Sequence, residues 1–130
     1  MTSEELKKRT KKFTIEILKF LEKLPKTKAG AVIEYQLAKS GTSVSANYRS
    51  ACRSRTDADF ASRITICEEE ADECCFWLEL LAQSGMIKRE DVKQLWKEAN
   101  ELTAIFAASA ITVLKKLNAN NQKSRIKNQK

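Results

Sequence analysis

Apolar residues return at alternating steps of four and three along almost the whole chain, in four stretches separated by short breaks. The first reads Leu6, Thr10, Phe13, Ile17, Phe20, Leu24, with Leu18 and Leu21 widening the stripe. The second carries Val32, Ile33, Leu37, Val44, Tyr48 and Ala51. The third is the most regular: Phe60, Ile64, Cys67, Ala71, Cys74, Leu78, Leu81. The fourth runs Val92, Leu95, Ala99, Leu102, Phe106, Ala110, Val113, Leu117. Such spacing puts one face of an α-helix against a core and excludes a strand, whose period is two.

The punctuation agrees. Thr2 with Glu5 has capping-box spacing, Thr27 and Thr56 precede the second and third helices, Pro25 closes the first, and Gly85 follows the third. Three Gly and one Pro in 130 residues leave no material for a turn-rich β fold. The connections near Pro25-Lys26, Ser54-Arg55 and Ser84 to Ile87 are short, so consecutive helices must run antiparallel. The expected architecture is all-α: an up-down-up-down four-helix bundle over residues 1–117, followed by a basic tail, 118–130, too polar to order itself. Ser40-Gly41-Thr42-Ser43 strings together four poor helix formers, so the second helix either breaks there or, as the helical pattern resumed over Ala46 to Arg55 favours, continues through a kink.

Charge carries the functional signal. Residues 7–12, 49–63 and 115–130 hold fifteen basic side chains against two acids, Asp57 and Asp59, whereas 64–79 hold six acids and no base. An antiparallel bundle brings the three basic segments to one pole, and a polarised cation with net charge +7 suits a polyanion. Lys8, Lys11, Lys12, Arg49, Arg53, Arg55, Arg63, Lys115 and Lys116 are the candidate contacts with DNA or RNA, made to phosphates without reading sequence. Helix-end charge and solubility account for part of this pattern, but not for the cations near the start of the first helix, where the macrodipole disfavours them. A protein-interaction scaffold without a nucleic-acid role is the competing expectation.

Chemistry is sparsely represented. The chain has no His, which removes the Glu-x-x-His metal motif of bundle di-iron sites and the usual base for a nucleophile. Cys52, Cys67, Cys74 and Cys75 have neither redox nor zinc spacing and are expected to be free, small packing residues. No enzyme activity, cofactor or metal is expected. The segment MTSEELKKRTKKF lacks the apolar region of a secretory signal, and no run approaches about 20 apolar residues, so a cytoplasmic protein without membrane association is expected. Tyr35, Phe76, Trp77 and Trp96 lie partly off the seams. Tyr35 and Trp77 are candidates for an interface between copies.

Residues 36–87, QLAKSGTSVSANYRSACRSRTDADFASRITICEEEADECCFWLELLAQSGMI, resemble a bacterial four-helix-bundle family that includes proteins encoded by intervening sequences of large-subunit ribosomal RNA genes. The accessory variability determinant of diversity-generating retroelements is similar to the same group. The most specific matches are S-G-T-S-V-x-A-N-Y-R-x-A at 40–51 and E-E-E-A-D-E-x-x-x-W-L-E at 68–79. The resemblance implies a second helix running through Gly41, a ring-shaped homopentamer, and, from the retroelement relative, a basic ring surface that binds nucleic acid and a reverse transcriptase. It makes Gly41, Asn47 and Tyr48 structural, and Arg49 and Arg53 with Glu69 and Glu70 candidates for ionic pairing within or between subunits.

Overall fold

The computed structural model describes residues 1–128. Four helices follow one another: α1 (Ser3–Phe20), extended by a 3-10 turn at Leu21–Lys23, α2 (Lys28–Cys52), α3 (Asp57–Gln83) and α4 (Arg89–Asn128); no strand occurs among the described residues. The caps are those read from the sequence. Thr2 Oγ1 accepts from the Glu5 N–H at 3.1 Å while a Glu5 carboxylate oxygen accepts from the Thr2 N–H at 3.2 Å. Thr27 and Thr56 hydroxyls accept from Gly30 and Asp59 at 3.0 and 3.1 Å. Each bond satisfies an amide that the first turn would otherwise leave unpartnered. Gly85, at φ 79°, stops α3 in the left-handed region and lets its N–H reach the Ala82 carbonyl at 3.1 Å.

Consecutive helices are antiparallel neighbours. α3 packs along both α2 and α4, α1 packs along α2, and α1 touches α4 only sparsely. Phe13, Ile17, Leu37, Val44, Ile64, Cys67, Leu78, Leu102 and Phe106 are shut off from solvent and form one core, with Tyr48 and Phe106 ring centroids 5.8 Å apart. The seams fill it as their spacing predicts, with two exceptions. Leu18 and Val32 are exposed, because each stands about 100° round its helix from a neighbour, Ile17 or Ile33, that takes the inward position.

α2 passes unbroken through Ser40–Ser43. Hydroxyls there bond back to the preceding turn, Ser40 to the Gln36 carbonyl at 3.0 Å and Thr42 to the Ala38 carbonyl at 2.8 Å, the back-bonding that bends helices. Gly41 is required by close approach: a Cβ there would lie 2.8 Å from Cγ2 of Ile17. Thr14 of α1 uses the gap, donating to the Gly41 carbonyl at 2.7 Å and meeting the Ser45 hydroxyl at 2.6 Å.

The tail departs from expectation. α4 continues to Asn128 instead of ending near Leu117, although side chains 118–127 are all exposed. No Gly or Pro interrupts 118–128, and extending an existing helix costs far less than nucleating one. Residues 129 and 130, also assigned to the tail, lie outside the described residues.

All four cysteines are free thiols. Burial pushes Cys67 and Cys74 up to about 12 and Cys75 to about 11, so three of them are poor nucleophiles at neutral pH. With the folded protein at pH 8, a thiol reagent is expected to modify Cys52 promptly and the other three only after denaturant is added; rapid reaction of all four would contradict the packing described.

Candidate nucleic-acid interface

The antiparallel packing of α1 on α2 sets two basic rows side by side. Lys7, Lys8 and Lys11 come from the first half of α1, and Arg49 and Arg53, one turn apart, from the last turns of α2. Together with Glu4, Ser45, Ala46 and Cys52 they line an open groove of about 500 Å³. Five cations meet one carboxylate there, and that carboxylate, Glu4, is held below its ordinary range by hydrogen bonding to Lys7, whose Nζ lies 2.6 Å away. Arg49 and Arg53 are exposed and have no ion-pair partner among the described residues.

The remaining basic residues divide by place. Arg9 faces the other way and donates to Glu98 of α4 at 2.6 and 2.9 Å and to Glu101 at 2.5 Å, the principal polar tie between the first and last helices. Lys12 stands near Glu16 on the α1 surface outside the groove, at 4.0 Å. Arg63 pairs with Asp59 on its own helix at 3.3 Å. Arg55 borders a hollow at the α2–α3 connection with Tyr48, Asp57 and Phe60, and Lys116 reaches Asp57 there at 3.2 Å. Since Arg9 meets α4 at Glu101, Lys115 lies fourteen residues further, about 21 Å along the helix. Lys8, Lys11, Arg49 and Arg53 therefore converge in the groove, while Arg55, Lys115 and Lys116 belong to a second cationic surface around the connection and the overhang of α4.

Within the chain, Glu69 and Glu70 do not pair with Arg49 or Arg53. The arginines line the groove toward α1, whereas Glu70 sits on α3, and among the described residues no ion pair links them. Partial burial and the neighbouring Glu73 raise Glu70 above its ordinary value. Tyr35 is 65% exposed on the outside of α2 and Glu69 is exposed. Trp77 is half-buried, its indole N–H donating to Glu73 at 3.1 Å. Lys7, Glu4, Ser45, Ala46 and Cys52 were not among the sequence candidates. The i, i+4 relation of Lys7 with Lys11 and of Arg49 with Arg53 was the available signal, but it does not say which helices pair.

A crystal structure from Bacteroides thetaiotaomicron, of a protein with unknown function from the S23 ribosomal protein family, is similar with a TM-score of 0.74 at 29% identity, over 80% of this chain and 96% of that one. No curated protein matches the chain. Residues 3–108 match the model of the 23S rRNA-intervening sequence proteins, which spans all of α1, α2 and α3 and half of α4. The chain belongs to the 23S rRNA-intervening sequence protein family.

Proposed function

We propose that this protein is a non-enzymatic, homo-oligomeric nucleic-acid-binding bundle that takes RNA or DNA by neutralising backbone phosphates in the α1–α2 groove. The observation that carries this reading is the convergence of Lys7, Lys8, Lys11, Arg49 and Arg53, drawn from two distant segments, with Glu4 as the one opposing charge. The groove is open and its cations are largely exposed, which suits a continuous backbone, and counterion release supplies affinity there without base contacts. Association of copies through the face bearing Tyr35, Glu69, Glu70 and Trp77 would multiply a weak attraction by avidity.

Titration of labelled duplex DNA and structured RNA at two salt concentrations tests it. Affinity is expected to fall steeply with salt, by roughly 0.9 in log–log slope for each duplex phosphate engaged. Glu4→Gln removes the opposing charge and is expected to tighten binding a few-fold at low salt. No retention of either nucleic acid at low salt would remove the reading and favour a protein-interaction scaffold, for which exposed Tyr35 and Val32 are the supporting observation.

A further inference from the structure

α4 outruns the bundle. Lys116 reaches Asp57, the first residue of α3, at 3.2 Å, and from there the helix continues to Asn128 with every side chain of 118–127 exposed. The overhang amounts to about three turns and about 16 Å of helix that no other part of the chain covers. It is also one-sided. The inward seam of α4, Phe106, Ala110, Val113 and Leu117, continues by the same steps of three and four into Asn120, Asn121 and Ser124. Lys123 and Lys127 stand about a quarter turn round from that polar row on one flank, and Arg125 about a quarter turn round on the other. The opposite side, Ala119, Gln122 and Ile126, carries no charge, and no acid occurs between Glu101 and Lys130.

Such a composition costs the helix stability. Asn is a poor helix former because its amide bonds the nearby backbone in other conformations, and Asn118, Asn120 and Asn121 crowd three of them into four residues with no packing in return. A use for the amides outside the chain accounts for them. An amide offers a donor and an acceptor together, the complement of the N7 acceptor and N6 donor that adenine presents in the major groove of DNA. That groove, about 12 Å wide, admits an α-helix.

We infer that the overhang of α4 enters the major groove of B-form DNA, turning Asn120 and Asn121 to base edges while Lys123 and Lys127 meet phosphates of one bordering strand and Arg125 those of the other. Adenine is the preferred base. Charge selects a polyanion, since three cations flank the amide row and no carboxylate stands among them. Double-stranded RNA does not fit, because its major groove is deep, narrow and closed to side chains. An anionic lipid surface would want an apolar row between the cations, where the overhang places amides. The inference goes beyond the α1–α2 groove, which asks only for phosphates, and the match to the family model ends at residue 108, well short of the overhang.

Anisotropy titrations of the full chain at one low salt concentration test it, with three labelled duplexes of one sequence of alternating adenine and thymine or uracil. One is DNA, one is DNA with 7-deazaadenine, which pairs normally but lacks the N7 acceptor, and one is RNA. The wild type is expected to bind the first about tenfold more tightly than either of the others. Asn120→Ala with Asn121→Ala is expected to bind the two DNA duplexes alike, with an unchanged salt slope and a helix content by circular dichroism no lower than wild type, since Ala is the better helix former. Arg49→Glu with Arg53→Glu is expected to weaken all three and keep the tenfold ratio, so the groove and the overhang fail separately. Equal wild-type affinity for the two DNA duplexes, RNA bound as tightly as DNA, a ratio that survives in the alanine pair, or no DNA binding at all would overturn the inference. Equal affinities that still fall in the Arg49 and Arg53 variant would overturn it while leaving the groove reading in place.

Discussion

Replacing Arg49 and Arg53 together by Glu is expected to weaken binding of a short duplex about 100-fold at low salt and to reduce the log–log salt slope by about 1.8, the share of two phosphate contacts. Both side chains are exposed and, among the described residues, outside any ion pair, so the thermal midpoint should stay within the scatter of ordinary surface substitutions. Two controls sharpen the result. Lys26→Glu, near the far end of the bundle, should leave binding intact. Lys115→Glu with Lys116→Glu reverses the second cationic surface. If that pair abolishes binding while the groove variant does not, the overhang of α4 is the contact and the groove reading fails. Anisotropy titrations of the three variants, with melting curves alongside, decide between them.

The largest stability effect is expected at Gly30. A Cβ placed there lies 2.0 Å from the carbonyl oxygen of Pro25 and 3.1 Å from its carbon. That oxygen already accepts the Thr27 N–H at 2.9 Å, and Thr27 in turn caps α2, so the obstruction is backbone that cannot swing aside without undoing the entry to the helix. Gly30→Ala gains about 1 kcal/mol of helix propensity. The overlap is expected to outweigh that gain and leave a net loss of about 3 kcal/mol, at the upper end of ordinary overpacking. For a chain of this size the corresponding fall in melting temperature is about 10 °C. Gly41→Ala, whose Cβ meets a side-chain methyl at 2.8 Å, should cost less. A Gly30→Ala protein melting with the wild type would show that the turn does not approach α2 this closely.

Most of the architecture could be read from periodicity because each helix carries its own complete signal. Phe60, Ile64, Cys67, Ala71, Cys74, Leu78 and Leu81 declare a face without reference to any partner, and Thr2, Thr27, Thr56 and Gly85 mark ends through bonds only a few residues long. What the chain did not disclose depends on which surfaces meet. Leu18 and Val32 are as apolar as their neighbours, and only the direction of packing tells that Ile17 and Ile33 win the inward place. Arg9 looks like one more cation among Lys7, Lys8 and Lys11 until α4 supplies Glu98 and Glu101. The persistence of α4 to Asn128 was hidden for another reason: burial decides whether a polar segment folds alone, but a helix already started needs only the absence of a breaker. The basic pole was foreseen as one patch; the structure gathers Lys8, Lys11, Arg49 and Arg53 in the groove and sets Lys116 beside Asp57 at the start of α3.

The hydroxyl of Thr14 has a bearing on recognition that its burial conceals. Its bonds to the Gly41 carbonyl and to Ser45 work as a vernier between α1 and α2. A slide of a single helical turn, about 5.4 Å, would shift the lysine row by one repeat against the arginine row and leave one cation of each bank facing a neutral stretch. Charge spacing along the channel is thus fixed not by the charges, which repel one another, but by an uncharged latch one turn above them.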